Sequence, residues 1–131
     1  MATIFTKIVK GEIPCYKVAE DDRFLAFLDI NPLAKGHTLV IPKQEIDYLF
    51  DIDDQQFQDL FLFAKRVALA IDRSVQSEKV GMAVVGLEVR HAHIHLIPIN
   101  GIYDIDFSRE KLKLGEDEFN MIAARIAKTF K

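Results

Sequence analysis

Three of the four histidines in this 131-residue chain, His91, His93 and His95, alternate with Ala92, Ile94 and Leu96. In an extended strand successive side chains point to opposite faces, so this spacing predicts three imidazoles on one face and three apolar side chains on the other. Same-face neighbours lie about 6–7 Å apart, which lets three rings surround a group the size of a phosphate. An ordinary imidazole pKa of about 6.5 gives access to both a neutral nucleophile and a protonated donor near neutrality. Nucleophilic catalysis at phosphorus fits: the central His93 attacks, a covalent phosphohistidine forms, and water later hydrolyses it. His93 must then keep its proton on one nitrogen and aim the other forward, which requires an acceptor such as a backbone carbonyl behind the ring. The same alternation suits chelation of zinc or iron. Against a metal, Cys15 is distant in sequence and no carboxylate shares the motif's parity, so only Asp29 or His37 could approach from elsewhere in the fold. Three histidines without a role would make a poor surface strand and a worse core.

The elements that must position these residues follow from patterning. Ile4, Phe5 and Ile8 share one side of a short helical turn over 3–10, ended by Gly11 and Pro14. Extended segments over 15–20 and 24–30, separated by Asp21 and Asp22, predict a hairpin. A loop from Asn31 and Pro32 to Gly36 leads into a strand over 37–41 that stops at Pro42. From Asp53 onward, Phe57, Leu60, Phe61, Ala64, Val67, Ala68 and Ile71 recur at helical spacing, with Asp53 and Gln56 placed as a capping box, which predicts a helix of about 20 residues. Leu62, Phe63 and Leu69 lie off that stripe, more apolar circumference than one sheet face covers, which is consistent with overburial within a monomer and slightly favours a homodimer contact. Extended runs over 79–85 and 88–98 stop at Pro98 and the turn dipeptide Asn100 and Gly101. A last helix from Glu116 presents Phe119, Ile122, Ala123, Ile126 and Phe130 on one face. The sum is an α+β chain with about five antiparallel strands, one long helix, an N-terminal helical turn and a C-terminal helix, in a single domain over 1–131.

Composition narrows the function further. A length of 131 residues suffices to bury a core, and 50% hydrophobic with 28% charged residues is a globular balance. The net charge of -3 argues against a grip on a nucleic acid polymer, which needs a basic face, but leaves a single nucleotide open. Cys15 has no partner for an intramolecular disulfide, and Lys7, Lys10 and Glu12 interrupt any apolar signal core, both of which point to the cytoplasm. No run of 18 apolar residues is present, so no membrane association is expected.

Residues His91 to Ile97 resemble the signature of the histidine triad (HIT) family, three histidines alternating with and followed by apolar residues. The similarity extends upstream: Gly36 to Lys43 looks like the family's preceding strand, and Ala26 to Pro32 resembles its ribose-binding turn. The resemblance implies a HIT-like fold, a nucleotide-binding half-barrel that usually forms a homodimer. It implies hydrolysis at the alpha-phosphate of a nucleoside monophosphate ester, anhydride or phosphoramidate, with a purine nucleotide derivative as substrate and no metal or other cofactor. Carried over by position, His93 is similar to the nucleophile, His91 and His95 to its phosphate-contacting neighbours, and His37 to the fourth active-site histidine. Ile4, Phe5, Ile8, Phe27 and Ile30 look like the residues that sandwich the base, although their spacing is equally that of plain core. Asp29 resembles the ribose ligand, and a carboxylate can accept from two vicinal hydroxyls; it could also be a turn-starting residue before Asn31 and Pro32. Two departures stand out: Val80 and Leu87 occupy positions where many members carry a polar asparagine and glutamine near the phosphate. Strand parity puts Glu88 on the face opposite His91. The neighbouring expectations are hydrolysis of dinucleoside polyphosphates and nucleotide binding with weak turnover.

Overall fold

The computed structural model describes residues 2–131. Its elements in chain order are α1 (Ile4–Val9), β1 (Lys17–Glu20), β2 (Phe24–Leu28), β3 (Thr38–Pro42), α2 (Asp54–Ser74), β4 (Lys79–Ala83), β5 (Ile94–Ile99) and α3 (Glu116–Thr129), with short 3-10 turns at Leu49–Asp51 and Ile102–Ile105. The strands form one sheet in the order β1-β2-β3-β5-β4, and every pairing is antiparallel. This is the α+β layout expected from the sequence.

β2 and β3 are buried along their whole length because the sheet is covered on both faces. Alternation then sorts their side chains into two clusters. Phe24, Ala26, Leu28 and Val40 join the main core under α2 and α3, whereas Leu25, Phe27, Leu39 and Ile41 pack with Phe5 of α1 on the other side. α2 forms because its apolar stripe has that face of the sheet to bury against, and Asp53 caps it by accepting the Gln56 N–H at 3.0 Å. Phe63 belongs to the buried stripe, 2% exposed with its ring tilted against Phe24 and Phe130, so of the three residues expected to face outward only Leu62 and Leu69 do.

Several boundaries differ from the expected ones: β1 starts at Lys17, β2 ends at Leu28 and β3 includes Pro42, paired with Phe24. β4 stops at Ala83 and β5 begins only at Ile94, so 84–93 is a loop rather than the ends of two strands. Val84, Val85 and Leu87 of that stretch are exposed, so its apolar residues mark a loop at the cavity rim that strand patterning cannot distinguish. Pro98 lies inside β5 opposite Val80 rather than ending it, because the β3 ladder stops at Thr38 opposite Leu96 and leaves Pro98 paired on one side alone. Gly36, at φ +100, makes the turn before β3; a Cβ there would sit 3.1 Å from Val75 and 3.3 Å from Pro98 in a conformation other residues avoid. No helix among the described residues is long and apolar enough to cross a membrane.

Candidate active site

The sheet face away from α2 and α3 opens into a cavity of about 480 Å³. Register explains why histidines line it. Ala92, Ile94 and Leu96 enter the main core, so His93 and His95 turn the opposite way, and β3 brings Leu39 directly across from His95. α1 supplies Ile4, Phe5 and Ile8, β2 and its following turn supply Phe27, Asp29 and Ile30, and the loop at 85–89 closes the far rim.

The acceptor that His93 needs is the carbonyl of His91, 2.7 Å from Nδ1. A carbonyl only accepts, so Nδ1 carries a proton, and in the neutral ring Nε2 keeps its lone pair. The Phe5 ring meets the His93 ring edge-on, with centroids 5.1 Å apart, and limits its rotation.

His95 is fixed by a relay of its own. The Leu33 N–H donates to His37 Nδ1 at 3.0 Å, so the proton of a neutral His37 sits on Nε2, from which it is donated to His95 Nδ1 at 3.0 Å. His95 therefore holds its own proton on Nε2, the remaining donor on a ring that lines the cavity. Burial keeps both rings neutral: it pulls His37 down to about 3 and His95 to about 4, helped in each case by nearby imidazoles. Asp29 accepts the Asn31 N–H on Oδ1 at 2.8 Å and brings Oδ2 to 3.5 Å from His37 Nε2; burial raises its pKa despite that hydrogen bond.

His91 does not reach the cavity. His91 sits in a bend ahead of β5, and although Ala92 and His93 keep the alternation of the strand, its ring turns behind the site. Nε2 donates to the Pro42 carbonyl at 2.8 Å and Nδ1 accepts from Thr3 Oγ1 at 3.0 Å. Of the two rings flanking His93, His95 lines the cavity and His91 does not. The triad does not converge on one point as a metal site. Asp29, His37 and His95 do bring one ligand atom each within 4.8 Å of one another. The Leu33 N–H on Nδ1 nevertheless leaves a neutral His37 with no free lone pair on Nε2, and the trio is accounted for as a hydrogen-bond relay.

The five apolar residues compared with a base sandwich all line the cavity, but they divide in character. Phe5 and Phe27 are buried in the smaller core cluster, while Ile4 and Ile30 stand 47% and 63% exposed at the mouth. Val80 lies on β4 packed against the main core and does not line the cavity; the β4 residue beside His95 is Ala83. Leu87 and Glu88 do line it. The placement of Glu88 away from the site fails because 84–93 is not a strand. Sequence reasoning missed Phe107 and Lys111. Phe107 sets its ring edge against His95 at 4.7 Å, and Lys111 Nζ donates to the carbonyls of Phe107 and Arg109 at 2.6 and 3.0 Å. Both sit in an irregular segment between β5 and α3 with no periodicity to mark an inward residue.

Comparison with known proteins agrees with this geometry. The HIT domain family matches residues 10–101, well over half of the chain. The adenosine 5'-monophosphoramidase of Schizosaccharomyces pombe is 35% identical over 133 residues and covers 100% of both chains. The adenosine 5'-monophosphoramidase of Saccharomyces cerevisiae is 43% identical over 98 residues, 74% of this chain and 62% of its own. A Hit-like protein of Bartonella henselae involved in cell-cycle regulation superposes with a TM-score of 0.83 at 30% identity, covering 97% of this chain and 95% of that one. On these grounds, and with its paired histidines aimed into a nucleotide-sized cavity, the chain belongs to the HIT domain family.

Proposed function

We propose that this protein is a nucleotidyl hydrolase that removes a nucleoside monophosphate, most simply a purine nucleotide, from an amine through a covalent intermediate on His93. The observation that carries the reading is the Nδ1–H of His93 donated to the His91 carbonyl at 2.7 Å, which leaves Nε2 unprotonated on a ring that lines the cavity. Nε2 attacks the alpha-phosphorus, the bond to the leaving nitrogen breaks, and its electron pair departs with that nitrogen, which takes up a proton. Water then attacks phosphorus and gives up a proton to solvent, matching the one taken up by the leaving nitrogen, and the P–N bond pair returns to Nε2. His95 donates its Nε2–H to a phosphate oxygen, with His37 fixing the tautomer behind it. Asp29 accepts from the ribose hydroxyls, and Ile4, Phe5, Ile8, Phe27 and Ile30 enclose the base. The naming of two relatives as adenosine 5'-monophosphoramidases supports the same substrate class.

The test is to mix the protein with adenosine 5'-phosphoramidate, quench within a turnover, and weigh it. An added mass of one adenylyl group on the peptide containing His93 is expected. Turnover without an adduct, or an adduct that survives His93→Ala, rejects the mechanism. One observation favours a second substrate class: Lys111 is a cation in the cavity wall, suited to further phosphates on a leaving group. A dinucleoside polyphosphate hydrolysed faster than the phosphoramidate would reverse the order. The exposed Leu62 and Leu69 on α2 support a homodimer, which sedimentation velocity would register as twice the monomer mass.

A further inference from the structure

Behind the cavity lies a cluster that the chemistry above leaves unused. Thr3 caps α1 by accepting the Thr6 N–H at 3.0 Å on the same oxygen that lies 3.0 Å from His91 Nδ1. Glu45, from the segment after β3, accepts the Thr3 N–H at 2.9 Å and the Thr6 hydroxyl at 2.5 Å, both on Oε1. With the Thr6 hydroxyl proton committed to Glu45, the Thr3 hydroxyl can donate to His91 Nδ1 at 3.0 Å or to Thr6 Oγ1 at 3.3 Å, and the shorter contact is the one to His91. The Pro42 carbonyl meanwhile takes the Nε2–H of His91 at 2.8 Å, so the ring is neutral and bonded on both sides. Burial, its largest influence, also lowers its pKa.

The peptide joining His91 to Ala92 is pinned from both edges. Its N–H donates to the carbonyl of Ile46, next to Glu45, at 2.7 Å, and its carbonyl accepts the His93 Nδ1–H at the same distance. The bond that sets the His93 tautomer therefore depends on a peptide whose own side chain is held by Thr3. α1, which carries Ile4, Phe5 and Ile8 on the cavity side, presents Thr3 and Thr6 to His91.

We propose that Thr3, Thr6 and Glu45 are positioning residues that hold His91 as a neutral, fixed ring so that its carbonyl aims His93, thereby tying α1 to the attacking nitrogen. The inference rests on the assignment of His93 as nucleophile, so its test has one arm that needs no substrate. Nitrogen-15 NMR of the imidazoles in the wild-type protein is expected to give His93 as a single Nδ1–H tautomer. In Thr3→Val the same ring is expected to show a mixture, and Thr3→Ser, which keeps the hydroxyl, is expected to restore the single form.

In the second arm, Thr3→Val is expected to lower kcat on adenosine 5'-phosphoramidate about tenfold, the scale of one lost bond to a buried group, with KM little changed. Thr3→Ser should recover most of that loss. Glu45→Ala, which removes the acceptor of both threonines, is expected to lower kcat in the same direction, whereas Thr3→Val with Thr6→Val, which removes both hydroxyls near Nδ1, should fall furthest. A Thr3→Val protein with wild-type tautomer and kcat overturns the proposal, as does a loss confined to KM or one that serine does not recover. Should the wild-type protein turn over no phosphoramidate, the mechanism fails, while the tautomer measurement still decides the positioning role.

Discussion

The two faces of β5 are equally dry yet built on opposite principles. Ile94 and Leu96, at 0% and 1% exposure, pack into side chains of α2 and α3, where fit and volume are all that is asked. His93 and His95, at 6% and 8%, are nearly as buried, yet what matters there is which nitrogen holds a proton and what accepts it. No buried side-chain nitrogen or oxygen among the described residues lacks a hydrogen-bond partner, so the polar face is as complete in its own terms as the apolar one. Burial alone does not distinguish core from site here. The site is marked by rings whose inner nitrogens are all committed and whose outer nitrogens face a cavity.

The sharpest way to break that contrast is to remove one residue from each face. His93→Ala takes away the proposed nucleophile and should depress turnover on adenosine 5'-phosphoramidate by about 10⁴-fold or more. The urea midpoint should move little, since the cavity already borders the ring. A variant retaining even a hundredth of the activity would show that the polar face is not the reacting one.

Acid should act on the polar face selectively. His37 and His95 titrate at about 3 and about 4 in the folded chain, against an ordinary value of about 6.5 once it unfolds. Between those limits the unfolded chain binds more protons, so stability is full above about pH 6.5 and falls as pH drops toward 4. The expected loss from this pair is on the order of 6 kcal/mol between pH 7 and pH 4. Urea titrations at the two pH values measure it. His37→Gln should remove a large part of the difference, and an unchanged acid sensitivity in that variant would mean the pair is not what titrates. Ile94→Ala, on the apolar face, should cost about 2–5 kcal/mol at either pH, leaving the pKa of the folded histidines unmoved.

The same contrast explains what was legible in the sequence. The apolar face was readable almost throughout, because Phe57, Leu60, Ala64, Val67 and Ile71 announce their helix by period and Ala92, Ile94 and Leu96 announce their face by alternation. The polar face was readable in composition, with His37, Asp29, His93 and His95 all meeting at the cavity. It was misread where the backbone leaves the strand: His91 and Glu88 were assigned by parity across 87–91, where the chain bends and parity is lost. Phe107, Lys111, Thr3 and Glu45 were not found because their roles depend on contacts between segments far apart in the chain, which neither period nor spacing encodes.

Asp29 tests the boundary between the two faces, since it is a turn residue and a site residue at once. Its Oδ1 serves the turn by accepting the Asn31 N–H, while its other oxygen stays within the cavity near His37. Asp29→Asn keeps an oxygen for the turn and removes the charge. If the second oxygen serves ribose, KM for the phosphoramidate should rise about tenfold, the worth of one hydrogen bond to a charged group, with kcat less affected. The decisive comparison is a 2',3'-dideoxy substrate, which has no hydroxyls to offer. Wild-type and Asp29→Asn proteins should handle it alike, and a tenfold gap that persists there would assign Asp29 to the turn and to the relay behind His95 instead.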